Sequence, residues 1–149
     1  MRPIGLLLFI ALLLAPVSHA SGSDNKPPLD PVALSALVTK ANLASPKDQC
    51  FLYAQLVHQM TLLAGRQLSE GQDPSASLRA VSDYTQKIRA GAGKDNKRLK
   101  NAQILMERTA FRLNEFLHSA ALDDRPILES TLKNLNEVQN ELMMQVFRH

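Results

Sequence analysis

Cysteine, excess charge and long apolar runs are all scarce in this chain. One Cys among 149 residues excludes a fold held together by internal disulfides. Apolar residues make up 45% of the chain and charged residues 21%, which excludes a disordered tail, and the length excludes a multidomain enzyme. The sequence contains no Gly-rich phosphate loop and no nucleophile elbow, so we predict that the protein is not an enzyme.

The long apolar run lies at the start of the sequence, where it has the order of a signal peptide. Met1-Arg2 is a short basic region, residues 4–14 are apolar but too few for a comfortable membrane span, and Ser18 and Ala20 supply the small residues of a cleavage site. We predict that residues 1–20 are a signal peptide and that the protein is periplasmic or secreted. An uncleaved membrane anchor is the less favoured alternative, because no basic cluster follows the run.

The mature chain is nearly neutral. Cleavage after residue 20 removes Arg2 and no acid, which leaves 129 residues with 16 Lys or Arg, 14 Asp or Glu and a net charge of +2. A charge this small indicates no particular partner, and we expect none among nucleic acids. Residues 21–30 lack periodicity and are predicted to be a flexible leader, and residues 31–149 are predicted to form one helical domain.

Helical periodicity dominates the mature chain. Beyond Pro31, prolines occur only at Pro46, Pro74 and Pro126, each near a Ser or Asp that can cap the start of a helix. Between these positions apolar residues recur at spacings of three and four, and no segment keeps a two-residue alternation. Five segments have this period: Leu34 to Ala41, Tyr53 to Ala64, Leu78 to Ile88, Leu99 to Ala120 and Leu128 to Val146. We therefore predict an all-α fold.

The connections between the segments are short, so sequential helices are predicted to be antiparallel neighbours. The predicted architecture is an up-down antiparallel bundle of about four longer helices, with the first helix as a short added arm. The last two segments have near-heptad seams of the kind that bundles bury: Leu99, Ala102, Met106, Thr109, Leu113, Phe116 and Ala120 in one, and Leu128, Leu132, Leu135, Val138, Leu142 and Val146 in the other. The pair Gly91 and Gly93 marks either a turn or a weak point in one very long helix. The second case would give a three-helix arrangement of the spectrin-repeat type.

Three stretches carry a resemblance to other proteins. They are CFLYAQLVH at residues 50–58, KRLKNA at 97–102 and LNEVQNEL at 135–142. These stretches resemble an uncharacterised group of small exported helical proteins from bacteria. The resemblance implies a bacterial exported protein, and it implies no activity and no site residues.

Cys50 and the histidines are the first candidates for chemistry. Cys50 lies near the start of the second helix, where a thiol can be reactive or can form an intermolecular disulfide, but a small core residue is the favoured interpretation. The mature histidines, His58, His118 and His149, have no His, Asp or Glu at i+4. We therefore predict no metal site.

Two cofactor patterns are incomplete. Glu115 and His118 match half of the Glu-x-x-His pattern of di-iron bundles, and the sequence has no second copy. Haem held between facing helices would need His or Met axial ligands, for which Met60, Met106, Met143 and Met144 are available. Methionine at helical spacing is more often core packing, so we predict no cofactor.

A short basic run precedes the fourth segment and contains Lys94, Lys97, Arg98 and Lys100. Such residues in the first turn of a helix oppose the positive end of the helix dipole. Either the third and fourth helices are continuous through the two glycines, so that these bases are solvated in the middle of a helix, or the run is an anion-binding patch for groups such as phospholipid headgroups. We favour the continuous helix, and a membrane-surface role is the less favoured alternative.

These observations predict a non-catalytic, exported helical bundle. We expect it to act through protein-protein interaction in the cell envelope, with an unidentified protein partner or by self-association. The alternative is a ligand or cofactor carrier that holds haem or a metal in the bundle.

Overall fold

The structure is a computed structural model that describes residues 26–92 and 98–148. Within these residues it contains five helices and no strand, so the predicted all-α class is confirmed. The helices are α1 (Pro31–Leu43), α2 (Pro46–Ser69), α3 (Ser75–Gly91), α4 (Leu99–Ser119) and α5 (Arg125–Phe147). The predicted signal peptide, Gly93, Lys94, Lys97 and His149 lie outside the described residues.

The helix starts follow the proline signals, with one shift. Proline occupies the first or second position of α1, α2 and α5, where its missing N–H costs nothing. Helix α3 begins after Pro74 rather than at it. The reason is a tight turn in which Asp73 Oδ1 accepts hydrogen bonds from Ser75 N at 2.9 Å and Ser75 Oγ at 2.6 Å.

The turn after α2 reverses the chain and depends on one glycine. Gly71 has a φ of 68°, a left-handed conformation that glycine adopts without strain. Its N–H donates to Leu68 O at 3.2 Å, and Gln72 N donates to Gln67 O at 2.7 Å. This pair of bonds is a Schellman motif, which ends α2 and directs α3 back along it.

The four longer helices form a bundle with a diagonal crossover. Helix α2 packs against α3 and α4, and α5 packs against the same two helices. Among the described residues, α3 and α4 do not contact each other, so they occupy opposite corners. The prediction that sequential helices are neighbours is therefore correct for α2 with α3 and for α4 with α5, but wrong for α3 with α4.

Cross-helix contacts give the helix directions. Ser77 near the start of α3 bonds to Gln67 near the end of α2, so these two helices are antiparallel. Arg98 at the start of α4 contacts Asp48 at the start of α2, and Thr109 farther along α4 contacts His58 farther along α2. Helices α2 and α4 are therefore parallel. Helices α3 and α4 thus run in opposite directions. The favoured interpretation of one continuous helix through Gly91 and Gly93 is wrong, as is the three-helix alternative. Helix α3 ends at Gly91, in a glycine-containing segment that favours helix less than its neighbours do.

The core follows the predicted seams of α4 and α5. Most seam positions are buried, and the remaining ones pack at the edges of the core: Phe116, Ala120, Leu132 and Val146. Helix α2 buries more of its circumference than its periodicity predicts, because it contacts α1, α3 and α4. The positions that apolar spacing predicts for the buried face are Tyr53, Leu56, Val57, Met60, Leu63 and Ala64. The buried positions of α2 outside that set include Leu52, Ala54, Thr61, Leu62 and Gly65.

Each longer helix contains one buried threonine. The hydroxyls of Thr61, Thr85, Thr109 and Thr131 donate to the carbonyl four residues earlier, at 2.7 to 2.9 Å. Each buried hydroxyl is therefore satisfied inside its own helix and leaves no unpaired donor in the core.

Helix α1 is a short arm that packs on α2 alone among the helices. Asp30 Oδ1 caps it by accepting from Ala33 N at 2.8 Å. Asn42 Oδ1 accepts from Tyr53 Oη at 3.1 Å, and Leu29 N donates to Gln59 Oε1 at 2.9 Å. The last residues of the predicted leader are thus bonded to the bundle.

Candidate functional site

A cavity of about 860 Å³ lies at the end of the bundle where the α2–α3 turn meets the α4–α5 turn. Its apolar wall comes from Gly65 and Leu68 on α2 and from Phe116 and Ala120 on the second hairpin. The volume lies within the range of about 300 to 1,000 Å³ typical of small-molecule sites. This cavity is a candidate binding site that the sequence analysis missed.

The cavity wall depends on a close approach of α2 and α4. A Cβ placed on Gly65 would lie 2.7 Å from Phe116 Cε1 and nearer still to two other ring atoms. The Phe116 ring therefore lies against the bare backbone of α2. Gly65 is the single glycine inside α2, and this feature of the sequence, which the sequence analysis did not use, is the signal of the close contact.

Two carboxylates line the cavity, and among the residues that the structure describes no Lys, Arg or His does. Asp73 is exposed, and the hydrogen bonds from Ser75 are the main reason that its pKa lies below the usual value. Asp124 is half-buried at the N-cap of α5, and its carboxylate makes no cap hydrogen bond. Among the described residues it has no ion-pair partner either. The charged side chains of the described lining are therefore both acidic, beside the neutral polar residues Ser69, Gln72 and Ser119.

The opposite end of the bundle has an exposed apolar surface. Met143, Met144 and Phe147 lie at i, i+1 and i+4 in the last turns of α5, which places them on one side of the helix. Met144 is 53% exposed and Phe147 82% exposed. We call these three residues the α5 apolar face. Two of the methionines considered as haem ligands are thus surface residues, whereas Met106 is buried in the core.

An aromatic pair joins α2 to α3. The rings of Tyr53 and Tyr84 are stacked with centroids 6.0 Å apart and planes 21° from parallel. Lys87 Nζ lies 5.2 Å from one ring centroid and 5.6 Å from the other, within cation–π range. Burial is the main cause of the raised pKa of Tyr84. We assign this cluster a structural role, because its contacts link α2 to α3.

Cys50 lies in the core, as the favoured interpretation predicted. Its side chain is 2% exposed and packs within the larger apolar cluster. Burial raises the pKa of the thiol to about 11, so the thiolate is nearly absent at neutral pH. Cys50 therefore lacks both the access and the ionisation that a nucleophile needs.

His58 joins α2 to α4. Its Nδ1 lies 3.0 Å from Thr109 Oγ1, and the Thr109 hydroxyl already donates its proton to Leu105 O at 2.7 Å. Since Thr109 Oγ1 has no second proton, His58 Nδ1 must donate in this hydrogen bond. The structure thus assigns the Nδ1-protonated form to His58, which holds the two parallel helices together.

The half di-iron motif is not assembled into a larger cluster. Glu115 Oε2 accepts from Arg112 Nη1 at 2.9 Å, and His118 is an exposed residue whose Nε2 lies 3.4 Å from Asn114 Nδ2. Within residues 26–92 and 98–148, no group of three or more His, Cys, Asp or Glu side chains is placed to bind a metal ion.

Of the four bases in the basic run, the structure describes Arg98 and Lys100. Arg98 lies at the N-cap of α4, with Nη1 3.7 Å from Asp48 Oδ1 and its guanidinium 4.1 Å from the centre of the Phe51 ring. Lys100 is exposed in the first turn of α4. The two bases thus lie at the positive end of the helix dipole, contrary to the mid-helix position that we favoured, and the contacts of Arg98 with α2 offset that cost.

Comparison with known protein families, with curated proteins and with solved structures finds no match to this chain. None of the described helices is both long enough and apolar enough to span a membrane.

Proposed function

We propose that the chain is a non-catalytic, exported helical-bundle protein that acts by binding another protein in the cell envelope through the α5 apolar face. The observation that carries the proposal is the exposure of Met143, Met144 and Phe147 on one side of a helix whose opposite side packs into the core. Export is inferred from the signal-peptide pattern of residues 1–20.

Exposed side chains of this kind favour binding for a physical reason. Methionine and phenylalanine side chains lose unfavourable contact with water when a partner covers them, and each buries enough apolar area to contribute about 1.5 to 3 kcal/mol. Flexible methionine side chains adapt to irregular partner surfaces, and aromatic residues are enriched at the centres of interfaces. The α5 apolar face combines both residue types in two turns of helix.

Site-specific photo-cross-linking in an envelope extract of the source organism tests the proposal. A photoreactive phenylalanine analogue at position 147 of the mature chain should give one predominant adduct. That adduct should be competed away by unlabelled wild-type protein. The competitor Met144→Glu/Phe147→Glu should fail to remove it, because two charges on the face oppose its burial.

The matched control is Val32→Glu/Leu43→Glu, which also replaces two exposed apolar side chains with glutamate. Both side chains lie on α1 and are more than four-fifths exposed. This variant should compete as well as the wild type does. An adduct with a second copy of the chain would identify self-association as the interaction. Equal competition by both variants would refute a role for the α5 apolar face.

A further inference from the structure

The cavity between the two turns has the features of a small-molecule site, and they differ from those of the α5 apolar face. The two regions lie at opposite ends of α5, about 30 Å apart at 1.5 Å per helical residue. A ligand in the cavity would therefore not depend on the protein partner proposed above.

Two glycines, Gly65 and Gly71, help to shape the cavity. The Phe116 ring lies on the α2 backbone at Gly65, and the Schellman turn at Gly71 fixes the opposite rim. Leu68 and Ala120 continue the apolar wall beside the ring. A wall of this composition favours the apolar part of a ligand, since burying that part removes it from water.

The charges at the rim of the cavity determine which charge is favoured on the polar part of the ligand. The charged lining residues are Asp73 and Asp124, both acidic, and neither forms an ion pair at salt-bridge distance within the part of the chain that the structure describes. Two arginines lie near the cavity but outside its lining: Arg79 interacts with Asp73 at longer range, and Arg125 Nε donates to the carbonyl of Ala120 at 3.4 Å. A cationic group near these carboxylates gains their attraction, whereas an anionic group is repelled.

We infer that the cavity binds a small organic cation, with its apolar body against Phe116 and Leu68 and its ammonium group near Asp73 and Asp124. The site thus takes amines or quaternary ammonium compounds that carry an aryl or alkyl group. It requires no protein partner and no metal ion.

A series of three probes of matched shape tests this inference on the mature chain. Phenylbutylamine, phenylbutanol and phenylbutanoate share one apolar body and differ in charge. Calorimetric titration should rank their affinities in that order. We expect the amine to bind about twofold to fivefold more tightly than the alcohol, the range of a solvent-exposed ion pair. In NMR titrations with the amine, the amide signals of Gly65, Gly71 and Ala121 should shift in a saturable way.

Two variants, each of which neutralises one aspartate, separate a local effect of the carboxylate from an effect of net charge. Asp124→Asn removes a lining carboxylate and should lower the affinity for the amine about twofold to fivefold while leaving the affinity for the alcohol unchanged. Asp123→Asn makes the same change in net charge one residue away, outside the lining, and should leave both affinities unchanged. Ala121→Trp places a bulky side chain in the cavity and should weaken both ligands.

Three results would overturn the inference. Equal affinity for the amine and the alcohol in the wild type would remove the role of the carboxylates. An equal loss for Asp123→Asn and Asp124→Asn would reduce the preference to net charge. Amide shifts spread over the α5 apolar face instead of the turns would place the ligand elsewhere.

Discussion

The contact between Gly65 and Phe116 predicts a mutational effect whose sign depends on the background. Alanine favours a helix interior over glycine by about 0.8 to 1.0 kcal/mol. At position 65 the new Cβ would overlap the Phe116 ring, and forcing extra volume into a packed site costs about 1 to 3 kcal/mol. In the wild type, Gly65→Ala should therefore lower the free energy of unfolding by up to about 2 kcal/mol.

Removing the ring should reverse the sign. In a Phe116→Ala background the overlap is absent, so Gly65→Ala should raise the free energy of unfolding by about 1 kcal/mol. The coupling energy of the double-mutant cycle should then be about 1 to 3 kcal/mol. Phe111→Ala is the matched control background, because Phe111 lies on the same helix and is largely exposed. In that background Gly65→Ala should stay destabilising.

Urea unfolding followed by far-UV circular dichroism measures all six proteins. The comparison requires similar m-values, so that changes in midpoint report changes in stability. If Gly65→Ala stabilises the protein in every background, the Phe116 ring does not lie on α2 in solution. The description of the cavity wall would then be wrong as well.

Four further outcomes are expected. Because burial raises the pKa of Cys50 to about 11, a thiol reagent near neutral pH should label it only as fast as the protein unfolds, and Cys50→Ala should leave the oligomeric state in oxidising buffer unchanged. Gly71→Ala should cost about 1 kcal/mol in urea unfolding, because φ at this position is 68°, whereas Gly91→Ala, with open space around it, should not destabilise. Met106→Ala should cost about 2 to 5 kcal/mol, and Met144→Ala on the surface no more than about 0.5 kcal/mol. The intact mass of the exported protein should lack residues 1–20; a retained signal segment would contradict the predicted cleavage after Ala20.

The sequence was sufficient to predict the helices and most of the core, because burial in a bundle repeats with helical period. Helix α3 shows this, since its buried residues Leu78, Val81, Thr85 and Ile88 follow the spacing of three and four within the predicted segment Leu78 to Ile88. Prolines located the starts of α1, α2, α3 and α5 to within one residue, whereas α4 begins at Leu99 without a proline. The shift at Pro74 came from a hydrogen bond that the Asp73 side chain accepts from Ser75 N.

Helix arrangement was harder to predict than helix position. Periodicity identifies which face of a helix is buried, but it does not identify the neighbour that covers it. The buried part of α2 was underestimated for this reason, because three other helices cover it. The diagonal placement of α3 and α4 depends on how the hairpins dock, and connection length contains no information about that choice.

The candidate site was the least predictable part. Its residues come from two turns separated by about fifty positions in the sequence, and none of them has a motif of its own. Asp73 and Asp124 were recognised in the sequence only as residues near helix starts. Their shared cavity exists because the two hairpins place both turns at one end of the bundle.

The parallel pair α2 and α4 has a consequence for how the chain selects one alignment of its hairpins. His58 and Thr109 are 51 residues apart, and Gly65 and Phe116 have the same separation. Sliding one hairpin along the other by a helical turn would break the imidazole bond and would move the ring from a glycine to a residue with a side chain. Neighbouring alignments are therefore penalised twice, so a bundle with few polar bonds in its interior still has a single register.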